Sequence, residues 1–345
     1  MAAGCVTIDT KIRPAALGRP LEKWGYHMYY LGIDLGGTNV AAAAVSEEGE
    51  ILGRASISTS RMGADTVAAQ MAEAVRLAAC DAGLKVEEAA SLGIGSPGTI
   101  DPERGVIQYW SNLDFRNVPL AQLLRAKLEC EMPIYMENDA NAAALGEYAA
   151  GAGKGSQSMV AITLGTGVGG GAVFHGKLYT GFNYAGMEVG HFVLEHGGRL
   201  CTCGRKGCFE AYCSATALIR RTREKMEENR DSLLWTLAEG DLSRVNGRIP
   251  FEAAARGDAT AGQVVDEYID YLGCGVASLV NIFQPEVFCI GGGIANQGET
   301  LMAPVRYILN REDYARNSMH RTRLVRAQLG NDAGLIGAAL LPNFR

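Results

Sequence analysis

Three cysteines, Cys201, Cys203 and Cys208, fall within eight positions of one another, and His191 stands ten residues before the first. Three thiolates and one imidazole complete the tetrahedral shell of a zinc ion, and a shell with no open position is structural rather than catalytic. Two carboxylates flank the set, Glu188 and Glu210. They remain available to face one small polar ligand, together with the free edge of His191. The cysteines could also be ordinary small buried residues or a redox pair. Their crowding beside the turn-forming Gly204 and Gly207 opposes the first alternative, and C-x-C spacing in place of C-x-x-C opposes the second.

A second set of residues could hold phosphate. No G-x-x-x-x-G-K-[ST] string is present. Gly93, Gly95, Gly98 and Gly165, Gly167, Gly170 each match G-x-G-x-x-G, but that fingerprint must open a helix directly. Pro97 and Pro102 interrupt the first string, and the β-prone Ala172 to Phe174 follows the second. Tight glycine turns nevertheless gather backbone amides around anions. Gly36-Gly37, after Asp34, and Gly165-Thr166-Gly167 are two such turns, and Gly291 to Gly293 is a glycine run at a strand end. Either turn alone reads as an ordinary hairpin; two at the starts of similar halves favour phosphate. Asp139 lies between a strand and a helix, at the mouth of a sheet where α/β proteins bind ligands. By position alone it fits a helix N-cap better, a role worth about 1 kcal/mol.

The elements that must carry these residues follow from periodicity. Strands are expected at Tyr29 to Asp34, Thr38 to Val45 and Ile51 to Ser58, with a helix from Asp65 to Ala82 and a buried strand from Ser91 to Ile94. An irregular stretch follows. Then come a helix at Leu120 to Leu128, a strand at Pro133 to Met136 and a helix opening at Asp139 or Ala140. A second meander starts near Ser158, with Met159 to Leu164, a turn over Gly165 to Gly171, and Ala172 to Phe174. Polar helical segments run from Ser214 to about Gly240, and a long helix runs from Thr260 to Phe283, stopped by Pro285. Glu286 to Ile290 and Leu324 to Ala327 are strands, and the small-residue helix Ala333 to Leu341 is expected to pack back on the first half. Meander then helices, twice over, supports an α/β class with two mixed sheets.

Composition narrows the partners. A chain of 345 residues, 48% hydrophobic, is enough for two cores. No apolar run approaches the roughly 20 residues that span a bilayer, and a net charge of -6 argues against a nucleic-acid surface. The nine cysteines are odd in number and scattered outside the cluster, which points to a reducing cytoplasm. Residues 1–28 have neither the charge pattern nor the apolar core of a signal peptide; a poorly ordered extension is expected there, with Met28 as an alternative start.

The string E-x-G-H followed by C-x-C-G-x-x-G-C-x-E resembles the signature of the ROK family of bacterial sugar kinases and sugar-responsive repressors, and E-N-D-A-N at residues 137–141 resembles that family's catalytic string. The resemblance covers nearly everything from Met28 to Leu341. It implies a duplicated actin-like ATPase (ribonuclease H-like) fold with an interdomain cleft. One domain would span residues 29–140, with the terminal helix 332–345 packed on it, and the other residues 141–331. It implies ATP-dependent phosphorylation of a hexose, glucose at the 6-hydroxyl foremost, with Asp139 as general base. It further implies Asn138, Asp139, Glu188, His191 and Glu210 around the sugar, with the Ser96 to Gly98 loop and Asn112 nearby. The Asp34, Gly36, Gly37, Thr38, Asn39 turn and Gly165, Thr166, Gly167 would hold phosphate and Mg²⁺, and Gly292 and Gly293 the adenosine. His191, Cys201, Cys203 and Cys208 would hold zinc, His191 keeping one ring nitrogen for sugar, while Thr202, Arg205 and Lys206 would be spacers without a role. A cytoplasmic homodimer is implied, with no nucleic acid or membrane partner. Another hexose, an N-acetylhexosamine, polyphosphate as donor, or a sugar-sensing repressor are the alternatives.

Overall fold

The computed structural model describes residues 28–344; the extension expected at residues 1–28 lies, but for Met28, outside them. Strands β1 (Tyr29–Leu35), β2 (Asn39–Ser46) and β3 (Ile51–Ser58) form an antiparallel meander. β1 also pairs in parallel with β4 (Leu92–Ser96), and β4 with β8 (Ile134–Asn138). The second half repeats this plan. β9 (Ser158–Leu164), β10 (Val168–Phe174) and β11 (Lys177–Leu178) make the meander, and β12 (Val287–Gly291) and β13 (Arg323–Arg326) add in parallel. Both sheets therefore run outer strand, middle strand, first strand, then two parallel strands.

Burial explains the sequence pattern of these strands. β1, β4 and β12 are covered on both faces, so they read as continuous apolar runs rather than alternating ones. Helices α1 (Ala64–Asp81) and α2 (Leu120–Leu128) cover one face of the first sheet with Met71, Val75, Leu120 and Leu124. Two helices join the halves. α3 (Asp139–Ala150) leads from the first sheet to the second, and the last helix of the chain returns.

Between them lie α4 (Glu210–Cys213), α5 (Ala215–Glu228), α6 (Leu233–Leu237) and α7 (Ile249–Ala255), followed by the long α8 (Ala259–Phe283) and α9 (Glu299–Glu312). Phe209, Leu272, Val276 and Val305 build the core on the second sheet, while Met226, Leu234 and Ile249 form a satellite cluster under α5 to α7.

The returning helix α10 (Asp332–Leu340) lies against β1, β4 and α3. Its approach is close because its residues and those beneath it are small. A Cβ added at Gly93 would collide with the carbonyl oxygen of Ala338. That accounts for Gly93 in the first G-x-G-x-x-G string: it admits a helix rather than a nucleotide. The two crossings are pinned by the buried Glu147, whose carboxylate accepts hydrogen bonds from the amides of Ala152 (2.9 Å) and Leu329 (2.7 Å) and from that of Gln328.

Three expectations are corrected. The stretch expected to be irregular before α2 is a small antiparallel sheet of β5 (Thr99–Asp101), β6 (Val106–Trp110) and β7 (Phe115–Val118). Its strands are three to five residues long and separated by left-handed residues such as Gly105 and Asp114, too short for alternation to register. The turn expected over Gly165 to Gly171 ends at Gly167, and Gly169 to Gly171 are strand. These glycines serve packing: a Cβ at Gly171 would lie 2.6 Å from that of Ala144 on α3. The N-cap of α3 is Asn138, not Asp139. Asn138 Oδ1 accepts from the amides of Ala140 (2.9 Å) and Asn141 (3.3 Å), which leaves Asp139 in the first turn. Among the described residues, no helix is long and apolar enough to cross a membrane.

Candidate active site

A cleft of about 660 Å³ opens between the two sheets. Its walls carry Asp34, Gly98, Asn138, Asp139, Gly165, Thr166, Gly167, Glu188, His191, Glu210 and Gly292 from the expected set. Gly293 lines a smaller cavity of about 150 Å³ that shares Thr163, Gly292 and Asn331 with the first.

The others lie apart from the cleft wall. Ser96 is fully buried in β4, and its hydroxyl donates to the Pro97 carbonyl at 3.2 Å. Asn112 is exposed beside the first glycine turn: its Nδ2 would lie 3.5 Å from a Cβ at Gly37. That turn is closed by the Gly36 amide donating to Asn39 O at 2.9 Å and by the Thr59 hydroxyl donating to Gly36 O at 2.8 Å. Thr38 and Asn39 are exposed at its rim.

Strand ends and helix starts aim the acidic groups. Asp34 sits near the end of β1, next to the first turn of α10, with its carboxylate 3.1 Å from where a Cβ of Gly334 would stand. Asp139 opens α3 at the end of β8. Burial, and then the charge of Asp139, raises Asp34 from 3.8 to about 6. Burial also raises Asp139, against the Ala140 amide that donates to it at 2.9 Å. Two half-buried carboxylates thus line one cleft, and the charge of Asp139 reaches Asp34, a setting that favours a proton or a cation there. Glu188 joins them from the other wall. It is raised by burial first, lowered by His191, and raised again by Asp139 and Glu210.

The cysteine stretch meets the geometric requirement of a tetrahedral metal. The four ligand atoms of His191, Cys201, Cys203 and Cys208 lie within 4.8 Å of one another. Cys203 Sγ stands 3.7 Å from Cys208 Sγ, and Cys201 Sγ 3.7 Å from His191 Nδ1. A zinc–sulfur bond of about 2.3 Å gives a tetrahedron edge of about 3.8 Å, so these two pairs already stand at coordinating separations. The cluster on Nδ1 leaves Nε2 of His191 as its other ring nitrogen. Burial, and then the neighbouring Cys203 and Cys201 sulfurs, pushes the Cys208 thiol up to about 12, a value that a bound cation would reverse.

Several cleft residues escaped the sequence reading. Tyr184 lines the cleft and donates to Glu103 Oε1 of the β5–β6 hairpin at 2.6 Å, from a backbone with φ of 62°. Gly330 and Asn331 line it from the approach to α10, and Gly334 from its first turn. The G-N-D-A-G run ahead of a small-residue helix was the available signal for this loop; Tyr184 carried none.

The sequence matches the ROK family over residues 30–343. It is 42% identical to a glucokinase of Thermotoga maritima over 90% of this chain and 95% of that protein. Among solved structures it resembles a ROK family glucokinase from Streptomyces griseus in complex with glucose and AMPPNP. The identity there is 36% and the TM-score 0.76, over 91% of this chain and 98% of that one. A ROK hexokinase from Thermus thermophilus is similar at 35% identity and a TM-score of 0.77, over 91% and 97%. The duplicated topology is accordingly the actin-like ATPase fold.

Proposed function

Because the chain belongs to the ROK family, we propose that it is an ATP-dependent glucokinase that moves the γ-phosphoryl group of ATP to the 6-hydroxyl of glucose. The observation that carries this assignment is the pairing of Asp34 and Asp139 in one cleft with the Gly165 to Gly167 turn on its wall. The glucose and AMPPNP held by the Streptomyces griseus enzyme support both substrates.

Phosphoryl transfer is mostly positioning and charge neutralisation. Mg²⁺ bound with the nucleotide would neutralise phosphate charge, and the carboxylate of Asp34 is a hard oxygen donor suited to it. Asp139 takes the proton of the attacking hydroxyl, a contribution of roughly 10²–10⁴-fold; its raised carboxyl is a better base than an ordinary aspartate. The backbone of Gly36 and Gly37 and of Gly165 to Gly167 surrounds phosphate oxygens, with Thr38, Asn39 and Thr166 beside them, while Gly292 and Gly293 leave room for adenosine.

The sugar lies against Asn138, Glu188, His191 and Glu210. Carboxylates accept strongly from neutral hydroxyls, and Asn138, whose Oδ1 caps α3, offers its amide nitrogen. The Ser96 to Gly98 loop and Asn112 flank this subsite. His191, Cys201, Cys203 and Cys208 hold a structural zinc ion. Residues 29–140 with the terminal helix from residue 332, and residues 141–331, form the two domains, and the enzyme works in the cytoplasm as a homodimer.

A panel of hexoses and N-acetylhexosamines with ATP or polyphosphate, read by product formation with the purified protein, tests the assignment. Preference for an N-acetyl sugar, or for polyphosphate over ATP, would overturn it.

A further inference from the structure

The cysteine stretch does more than frame a sugar. Residues 210–216, which begin two positions after Cys208, make three hydrogen bonds to the Gly165 to Gly167 turn and the residue after it. The amide of Ala215 donates to Gly165 O at 2.8 Å. The hydroxyl of Thr216 donates to Thr166 O at 2.8 Å. The amide of Val168 donates to Glu210 Oε2 at 3.0 Å. Packing agrees with the bonding, because a Cβ at Gly167 would collide with Glu210 Oε2.

The second oxygen of Glu210 faces the cysteines. Its Oε1 accepts from the Thr202 hydroxyl at 2.9 Å, and Thr202 lies between Cys201 and Cys203. Cys201 Sγ is 3.6 Å from the same oxygen. A continuous path therefore runs from the four-ligand cluster through Thr202 and Glu210 to the amide that ends the turn. Thr202, taken from the sequence as a spacer without a role, is a link in it.

We propose that Thr202 is a positioning residue that, through the sugar-contacting Glu210, couples the metal frame to the phosphate-binding turn, so that metal occupancy sets nucleotide affinity as well as sugar affinity. The proposal rests on the kinase assignment above, which makes the Gly165 to Gly167 turn a phosphate site. The physical basis is preorganisation. A glycine-rich turn is costly to order, and bracing it before the ligand arrives removes that cost from binding. Both oxygens of Glu210 are engaged, so the turn is held at one end by a carboxylate whose own position depends on the cluster.

The test is calorimetric binding of Mg²⁺-AMPPNP, without sugar, to the wild type with its metal, the wild type after chelation, Thr202→Val and Thr202→Ser. Metal content and thermal unfolding are measured on each sample. Thr202→Val leaves all four metal ligands in place and removes one hydrogen bond to a carboxylate. It should keep its metal and its fold while weakening nucleotide binding about fivefold or more, and Thr202→Ser should restore it. Chelation should weaken binding at least as much. Wild-type nucleotide affinity in Thr202→Val that has kept its metal would overturn the coupling, even if chelation unfolds the protein. Absence of nucleotide binding by the metal-loaded wild type would instead overturn the kinase assignment itself.

Discussion

Asp34→Asn separates what folding tolerates from what function demands. Burial and the charge of Asp139 hold the Asp34 carboxyl at about 6, against an ordinary 3.8. At pH 8 the group is charged in folded and unfolded chains alike, and the folded state bears the cost of keeping that charge in the cleft. A gap of about two pH units corresponds to about 3 kcal/mol. Asp34 is half-buried in an open cleft, so water screens part of the effect and about 2 kcal/mol is expected. Asparagine keeps the shape and discards the charge. Because the folded-state value is raised, wild-type stability falls as pH climbs from 3.8 through about 6. The advantage of asparagine is thus absent below pH 3.8 and complete above about pH 7.

Ligand-free Asp34→Asn should therefore unfold at higher urea than wild type at pH 8 and at the same urea at pH 3.5. With about 2.1 cal/mol/K of unfolding entropy per residue over 345 residues, 2 kcal/mol raises Tm by about 3 °C. Turnover should fall at least about 100-fold, since the carboxylate that is costly in the empty cleft is the one placed for a cation. Mg²⁺-AMPPNP should stabilise the wild type more than the variant. Equal stability of the two ligand-free proteins at pH 8 would refute the electrostatic account of the cleft.

Asp139→Asn should bind glucose and nucleotide with near-wild-type affinity while kcat falls about 10²–10⁴-fold; near-normal turnover would remove Asp139 from the role of base. In the wild type, the acid limb of the kcat profile should lie above the ordinary aspartate range, because burial raises Asp139 and the base is lost as pH falls through that raised value. Cys203→Ala should lose metal by elemental analysis and weaken glucose binding and stability together, and unchanged values of both with no metal in the wild type would refute the staple. Glu147→Ala strands the amides of Ala152, Gln328 and Leu329 without their carboxylate and should cost at least about 3 kcal/mol in urea unfolding. Gly93→Ala pushes a methyl group into the Ala338 carbonyl and should cost at least about 1–3 kcal/mol, whereas wild-type stability would show that α10 yields without penalty.

Much of the cleft was legible in the chain because its chemistry sits in short strings. E-x-G-H and C-x-C-G-x-x-G-C-x-E keep their residues within one local fold, so spacing alone brought His191 and the three cysteines to one point. The meanders were legible for the same reason: strands joined by tight turns pair with their neighbours, and Tyr29 to Ser58 announces itself by pattern.

What the sequence left open depends on groups distant along the chain. That Gly93 serves helix α10 is set by a residue 245 positions away, Ala338, and a glycine looks the same whether it admits a phosphate or a helix. That Asn138 rather than Asp139 caps α3 depends on which of two adjacent side chains reaches the amides of both Ala140 and Asn141, a matter of local backbone geometry that residue type does not fix. Thr202 gained a partner only when Glu210 was turned to face both it and Val168. Sequence specifies which donors and acceptors exist and which lie a turn apart. Burial, and with it the raised carboxyls of Asp34 and Asp139, exists only once the two halves close around a common cleft and remove water from both sides.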